Sequence, residues 1–136
     1  MYPEYLVAPM RQELTNAGFE DLRTSEEVDQ AIKSEGTVLV MVNSVCGCAA
    51  ANARPAARIS TQYEKHPDKF VTVFAGMEKD AVDRARQHML PYPPSSPAIA
   101  LFKDGKLVHM IERHMIEGRP AQMIADNLQQ AYEQYC

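Results

Sequence analysis

The spacing of apolar residues divides the chain into helical and extended segments. Two continuous apolar runs, Thr37–Val42 and Phe70–Phe74, are typical of strands buried on both faces. Apolar residues three and four positions apart predict helices in five places: Pro3–Ala17, Ser25 up to Gly36, Ala49 towards Tyr63, Lys79–Met89 and Pro120–Tyr135. The apolar face of the first helix consists of Leu6, Met10, Leu14 and Ala17.

Local signals mark the ends of several elements. The segment Thr24–Glu27 has the spacing of a capping box at the start of the second helix. An Asp-Gly pair inside Lys103–Lys106 separates the apolar runs Ala98–Phe102 and Leu107–Ile111, which predicts an antiparallel hairpin. Four prolines within Leu90–Pro97 exclude both a helix and a central strand, so we expect a fixed loop there.

The order of these elements predicts the fold class. Strands separated by helices pair in parallel through right-handed crossovers, whereas the hairpin adds an antiparallel edge. The segment Phe19–Leu22 is a candidate for one further short strand. We therefore expect a three-layer α/β protein with a mixed central sheet, helices on both faces and an extra N-terminal helix. Because 136 residues suit one well-filled core, residues 1–136 are expected to form a single domain.

Composition narrows the class of protein. A hydrophobic fraction of 46% and a charged fraction of 24% are typical of a soluble globular protein, and a net charge of −4 gives no reason to bind nucleic acid or an anionic membrane. We find neither a signal-peptide pattern nor the roughly 20 apolar residues of a membrane span, so we expect a cytoplasmic protein. The oligomeric state stays open.

The three cysteines point to chemistry rather than to a structural disulfide framework. Two of them, Cys46 and Cys48, lie where the buried strand gives way to an alanine-rich helix. The free N–H groups and partial positive charge of a helix start favour a thiolate by about 0.3–1 kcal/mol, and by up to ~2 kcal/mol when partly buried. That is enough to change the reactivity of a thiol near neutral pH, and it predicts thiol–disulfide exchange.

The arrangement of these motifs resembles the thioredoxin fold. A cysteine pair at a helix start is followed by Ser96-Pro97 and by a hairpin around Phe102–Gly105, although thioredoxins carry Cys-x-x-Cys where this chain has Cys46-Gly47-Cys48. A narrower resemblance, to the bacilliredoxins, extends over almost the whole chain. It rests on six segments: Asn43–Ala49, Pro9–Thr15, Gly18-Phe19, Glu26–Asp29, His114–Gly118 and Tyr135-Cys136.

The bacilliredoxin resemblance implies a thiol–disulfide oxidoreductase. Such a protein removes bacillithiol from mixed disulfides on protein cysteines, with weak disulfide isomerase activity as a further implication. Its partners would be S-bacillithiolated proteins, its thiol co-substrate would be bacillithiol, and no bound cofactor or metal is expected.

The sequence also suggests a role for each site residue. Cys46, nearest the helix start, is the expected nucleophile, and Cys48 is the expected resolving thiol. Gly47 either leaves room for a substrate chain or is simply a glycine at a helix start. The thioredoxin resemblance implies that the Ser96–Pro97 bond is cis and that Ser96 and Pro97 face the cysteines and contact the substrate.

The one-residue spacing of Cys46 and Cys48 should affect the redox cycle. Residues i and i+2 do not share a helix face, so a bridge between these cysteines would close a small, strained ring. Strain makes a disulfide more oxidising. We therefore expect the reduced or mixed-disulfide form to be favoured over an internal bridge, which suits removal of a small thiol.

Other interpretations of these residues stay open. Cys46 and Cys48 could carry copper(I) or zinc in a thioredoxin-like binding module, although their spacing is shorter than usual for zinc and no histidine forms a local motif with them. Cys136 is either an idle surface thiol or a third redox thiol. Arg54 and Arg58 either attract an acidic thiol ligand or form a solvated face.

Overall fold

The computed structural model describes residues 1–136 and contains a five-stranded sheet. Its strands, numbered along the chain, are β1 Glu20–Asp21, β2 Thr37–Asn43, β3 Lys69–Phe74, β4 Ala98–Lys103 and β5 Lys106–Ile111. They lie in the order β1-β3-β2-β4-β5. The strands β1, β3 and β2 are parallel, β4 pairs antiparallel with β2, and β5 pairs antiparallel with β4. The predicted mixed sheet with an antiparallel edge is confirmed.

Helices cover both faces of this sheet. The α-helices are α1 Glu4–Thr15, α2 Ser25–Ile32, α3 Arg54–Ser60, α4 Lys79–His88 and α5 Ala121–Tyr135. A π-helical segment, Ala49–Ala53, precedes α3, and a short 3-10 helix, Arg113–Met115, follows β5. No helix combines the length and hydropathy needed to cross a membrane. The predicted three-layer α/β arrangement is confirmed.

Alternation along β2 assigns its side chains to two separate cores. Val38, Val40 and Val42 pack with residues of α2 and α4, whereas Leu39 and Met41 pack on the other face with residues of α3 and α5. Every residue of β2 is therefore buried. This is why a continuous apolar run, rather than an alternating one, correctly indicated a strand covered on both sides.

The capping box of α2 and the Asp-Gly turn between β4 and β5 both form as the sequence predicts. Thr24 and Glu27 form the predicted capping box: the Glu27 N–H donates to Thr24 Oγ1 at 3.1 Å and the Thr24 N–H donates to Glu27 Oε1 at 3.0 Å. In the hairpin turn, Asp104 and Gly105 both have positive φ, 50° and 83°, as a type I′ turn demands. Both predictions are confirmed.

The buried face of α1 differs from the predicted one. Of the four apolar residues expected to form it, only Leu14 is buried, and Leu6 is 42% exposed. The helix instead turns Val7, Arg11 and Leu14 inward. A charged side chain thus occupies the centre of the face, so apolar spacing assigned the orientation of this helix wrongly.

Arg11 explains that orientation. Its guanidinium donates to Glu4 at 3.0 Å, to Asp21 at 3.2 Å and to Glu78 at 2.7 Å, and it lies over the Phe74 ring, 5.1 Å from the centroid. A buried guanidinium is tolerated only when such partners satisfy it. The ion pairs of Arg11, together with burial of Val7 and Leu14, therefore orient α1 against the sheet.

Candidate active site

The cysteine pair follows the C-terminal end of β2, at the strand-to-helix junction predicted from the sequence. The carbonyl oxygen of Cys46 accepts the N–H groups of Ala49 at 2.9 Å and of Ala50 at 3.2 Å, so Cys46 begins the helix. The hydroxyl of Ser44 accepts the Cys46 N–H at 3.1 Å and fixes the turn. The Cys46 side chain therefore lies where helical N–H groups lack backbone partners.

The helix after the cysteines opens with a wider turn than predicted. The Arg54 N–H donates to the carbonyl oxygen of Ala49, five residues back, which makes Ala49–Ala53 π-helical. Pro55 has no N–H and cannot donate to the carbonyl of Ala51, four residues back, as an α-helix would require. The expected helix is present, but proline placement makes its first turns irregular and it ends at Ser60.

The two sulfur atoms of the pair lie within hydrogen-bond distance of each other. Cys46 Sγ and Cys48 Sγ are 2.7 Å apart and are not joined by a disulfide. The Cys48 thiol, followed by the backbone N–H of Cys48 and the charge of Arg113, lowers the pKa of Cys46 despite partial burial. Burial, together with the adjacent Cys46 sulfur, raises the pKa of Cys48 to about 11. Cys46 is therefore the more acidic thiol of the pair, and the Cys48 thiol is placed to donate a hydrogen bond to it when it ionises.

This division of roles predicts a change in the titration of Cys46. In a Cys136→Ala background, Cys48→Ala should raise the pKa of Cys46, because it removes the hydrogen bond that contributes most to stabilising the thiolate. The measurement is the rate of iodoacetamide alkylation of Cys46 against pH, read by mass spectrometry. A midpoint that stays the same or falls would contradict the hydrogen-bonded pair.

Arg113 is a site residue that the sequence did not reveal. It lies in the 3-10 helix after β5, and its Nη1 donates to the carbonyl oxygen of Ser96 at 3.2 Å while its Nε donates to Glu117. Its charge lowers the pKa of Cys46. No spacing motif connects residues 46 and 113, so only the folded chain brings them together.

The other predicted site residues, Gly47, Ser96 and Pro97, differ in their exposure and in whether they line the cleft beside Cys46. The Ser96–Pro97 bond is cis, and Ser96 lines the same cleft as Cys46, whereas the Pro97 side chain is buried. Gly47 is exposed, and a Cβ there would meet no atom within 4 Å. Its backbone does not have positive φ, so the turn itself does not require glycine. Open space beside Gly47 is compatible with a substrate chain.

An open cleft gives access to the Cys46 side chain. Its volume is about 430 Å³, within the range of small-ligand sites. Its lining includes Val45 and Cys46 from the segment after β2, Ser96 from the proline-rich loop, Arg113 from the 3-10 helix and Arg86 from α4. Cys48 is absent from this lining. The cleft therefore opens on Cys46 and not on Cys48.

Cys136 lies far from this cleft. Burial raises the pKa of its thiol, while the nearby Thr37 hydroxyl lowers it. Thr37, the neighbour of Cys136, is the first residue of β2, whereas Cys46 lies beyond the last residue of that strand. About one strand length, roughly 20 Å, therefore separates Cys136 from Cys46. A disulfide needs Cα atoms within about 7 Å. Cys136 could therefore act as a redox thiol only towards another molecule.

Arg54 and Arg58 do not form one solvated face. Arg54 is 1% exposed and donates to Asn43 Oδ1 at 3.0 Å, to the Ser44 carbonyl oxygen at 2.8 Å and to Glu13 at 3.1 Å. Arg58 is exposed and contacts only Glu13, at 3.4 Å. The solvated-face interpretation is wrong for Arg54, which supports the backbone just before Cys46.

The histidines and acidic side chains do not converge with the cysteines. No group of three or more His, Cys, Asp or Glu side chains is arranged to hold a metal ion. The His109 ring is already engaged, since its Nε2 pairs with Asn127 Oδ1 at 2.6 Å. Nothing in the structure favours the metal-carrying alternative over thiol exchange.

Comparison with known proteins agrees with this chemistry. A family model described as disulphide isomerase matches residues 2–136. The chain is 58% identical to a bacilliredoxin of Cytophaga hutchinsonii over 134 residues, 98% of this chain and 99% of that protein. It is 49% identical to a bacilliredoxin of Staphylococcus aureus over 136 residues, 100% of this chain and 94% of that protein.

Solved structures share the fold at low sequence identity. A thioredoxin from Trypanosoma brucei brucei superposes with a TM-score of 0.60 at 17% identity, covering 85% of this chain and 91% of that one. The thioredoxin-like fold expected from the sequence is confirmed.

Proposed function

Because the chain belongs to the bacilliredoxin family, we propose that it removes bacillithiol from mixed disulfides on protein cysteines. The chain is a thiol–disulfide oxidoreductase, and the proposal concerns the thiol that it transfers. The observation that carries the proposal is the Cys46 thiolate, which opens on a cleft large enough for a small thiol. We place the reaction in the cytoplasm, with S-bacillithiolated proteins as partners.

The proposed reaction begins with attack by the Cys46 thiolate on the bacillithiol sulfur of the mixed disulfide. A new bond joins Cys46 to bacillithiol, the bond between bacillithiol and the substrate protein breaks, and the substrate cysteine leaves as a thiolate that takes up a proton. The substrate cysteine is reduced and Cys46 is oxidised. Gly47, Ser96 and Pro97 would contact the substrate beside the reacting sulfur.

A second exchange would return the enzyme to its starting state. Free bacillithiol attacks the mixed disulfide on Cys46, forms bacillithiol disulfide and releases Cys46 as a thiolate. If Cys48 attacks instead, bacillithiol leaves as a thiol and a Cys46–Cys48 disulfide forms, which two further bacillithiol molecules must reduce, giving bacillithiol disulfide, before the enzyme is back in its starting state. The raised pKa of Cys48 keeps it protonated while Cys46 is a thiolate. Weak disulfide isomerase activity would use the same first attack on a protein disulfide.

Mass measurement of trapped intermediates tests the proposal. A Cys48→Ala, Cys136→Ala variant is incubated with a protein that carries one bacillithiol mixed disulfide. We expect one bacillithiol to appear on Cys46 and the substrate to lose the same mass. The matched control is the Cys46→Ala, Cys136→Ala variant, which retains Cys48 and should gain little bacillithiol.

Two results would count against the proposal. If Cys46 gains no adduct and the substrate retains its bacillithiol, Cys46 is not the nucleophile of this reaction. If Cys46 accepts other small thiols from mixed disulfides but not bacillithiol, the chain is an oxidoreductase of different specificity.

A further inference from the structure

The cleft beside Cys46 is positively charged although the chain as a whole is acidic. The net charge of the chain is −4, yet the charged side chains that line the cleft are Arg86 and Arg113, and none is acidic. Both arginines come from segments distant in sequence from the cysteine pair. Such a local charge favours an anionic ligand over a neutral or cationic one.

The two arginines are not equivalent. Arg113 donates to the Ser96 carbonyl oxygen and to Glu117, so its charge is partly compensated. The side chain of Arg86 makes no hydrogen bond or ion pair, and its Nε is buried without a partner. A buried donor without a partner is costly, which makes Arg86 a site prepared for an acceptor.

The acidic side chain nearest to Arg86 on α4 is already engaged. Asp83 lies one helical turn before Arg86 and lines a neighbouring surface groove with it, but its carboxylate pairs with Lys79 at 2.5 Å. Glu78, the N-cap residue of α4, is engaged as well, since its Oε1 pairs with Arg11 at 2.7 Å and with Arg23 at 3.1 Å, although its Oε2 has no partner. No side chain of the chain pairs with Arg86, so we expect its acceptor to come from outside. A carboxylate fits best, because two parallel N–H donors of a guanidinium match its two oxygens.

We propose that Arg86 binds a carboxylate of the small thiol that Cys46 removes, so that the site selects anionic thiols. The inference rests on the proposed function, since it assumes that a small thiol occupies the cleft as a mixed disulfide on Cys46. In that adduct the sulfur is bonded to Cys46 while the carboxylate lies against Arg86. Thiols without a carboxylate react at the same sulfur but lack the second contact.

Exchange with small disulfides of different charge tests this selection. The Cys136→Ala protein is reacted at one pH and ionic strength with dithiodipropionate, which is anionic, with hydroxyethyl disulfide, which is neutral, and with cystamine, which is cationic. In each case Cys46 thiolate attacks one sulfur, bonds to it and releases the other as a thiolate. We expect dithiodipropionate to react about tenfold faster than hydroxyethyl disulfide, and cystamine to react slowest.

Substitution of Arg86 should reduce this preference. Arg86→Gln is expected to lower the ratio of the dithiodipropionate rate to the hydroxyethyl disulfide rate by about tenfold. The matched control is Arg84→Gln, which removes the same charge from the same helix. Because Arg84 pairs with Asp29 and does not line the cleft, the ratio of the two rates in this variant should equal that of the unsubstituted protein. Arg113→Gln should slow all three reactions because it makes Cys46 less acidic.

The outcomes separate the inference from the function on which it rests. Failure of Cys46 to react with hydroxyethyl disulfide would contradict thiol exchange at this site, and with it the proposed function. Normal reaction with hydroxyethyl disulfide and no preference for dithiodipropionate would overturn the role of Arg86 alone. An unchanged ratio in Arg86→Gln would overturn it as well. Where that variant folds poorly, the absence of any preference in the unsubstituted protein would still overturn the role of Arg86.

Discussion

Cys46→Ala is expected to slow exchange with a small disulfide at pH 7 by at least about tenfold. The thiolate is the attacking species, and the pKa of about 11 at Cys48 leaves only about one Cys48 in ten thousand deprotonated at that pH. An ordinary thiol is about 1–3% thiolate at pH 7, and Cys46 exceeds that because its pKa is lowered. The measurement is the rate of reaction with hydroxyethyl disulfide in a Cys136→Ala background.

Two further effects determine the size of this loss. A more basic thiolate is intrinsically more nucleophilic, so attack by Cys48 would restore about tenfold of the lost exchange rate. Removal of Cys46 would also lower the pKa of Cys48 in part, which increases its thiolate fraction. Burial, the largest cause of the raised Cys48 pKa, remains in the variant, and Cys48 does not line the cleft. The matched control, Cys48→Ala, should retain the first exchange step. Faster exchange by Cys46→Ala than by Cys48→Ala would reverse the assignment of nucleophile.

The sequence predicted those features that neighbouring residues determine. The run in β2, the capping box at Thr24, the Asp104-Gly105 turn and the position of Cys46 at a helix start all depend on residues within a few positions of one another. Because such signals are local, they can be interpreted without knowing how the chain packs. They were sufficient for the fold class and for the location of the cysteine pair.

Features that depend on contacts distant in sequence could not be predicted in the same way. Arg11 reaches Glu78, 67 residues away, and α1 therefore buries Val7 and Arg11 rather than the expected Leu6 and Met10. Arg113 and Arg86 join Cys46 only through the order of strands and the crossover helices. Long charged side chains are most often solvated, so nothing in their spacing distinguishes them from surface arginines. The cysteines were therefore predictable, whereas the charged surroundings that tune them were not.

Arg54→Met should lower the free energy of unfolding by about 3 kcal/mol. The substitution keeps much of the buried volume but removes the guanidinium donor of the Ser44 carbonyl oxygen and one of the two donors of Asn43 Oδ1, which retains the Ser44 N–H at 2.9 Å. An acceptor left buried without a donor costs about 1–3 kcal/mol. Glu13 would also lose its shortest ion pair. Urea unfolding followed by circular dichroism measures the change.

Arg58→Met is the matched control, because it removes the same charged group from the same helix and from the same partner, Glu13. Arg58 is exposed and makes one long contact, so its replacement should change stability by no more than about 0.5 kcal/mol. A similar small loss in both variants would mean that Glu13 pairing, and not support of the turn, is what Arg54 contributes. A large loss confined to Arg54→Met, with Cys46 alkylated more slowly at neutral pH, would link this buried guanidinium to the geometry that stabilises the thiolate.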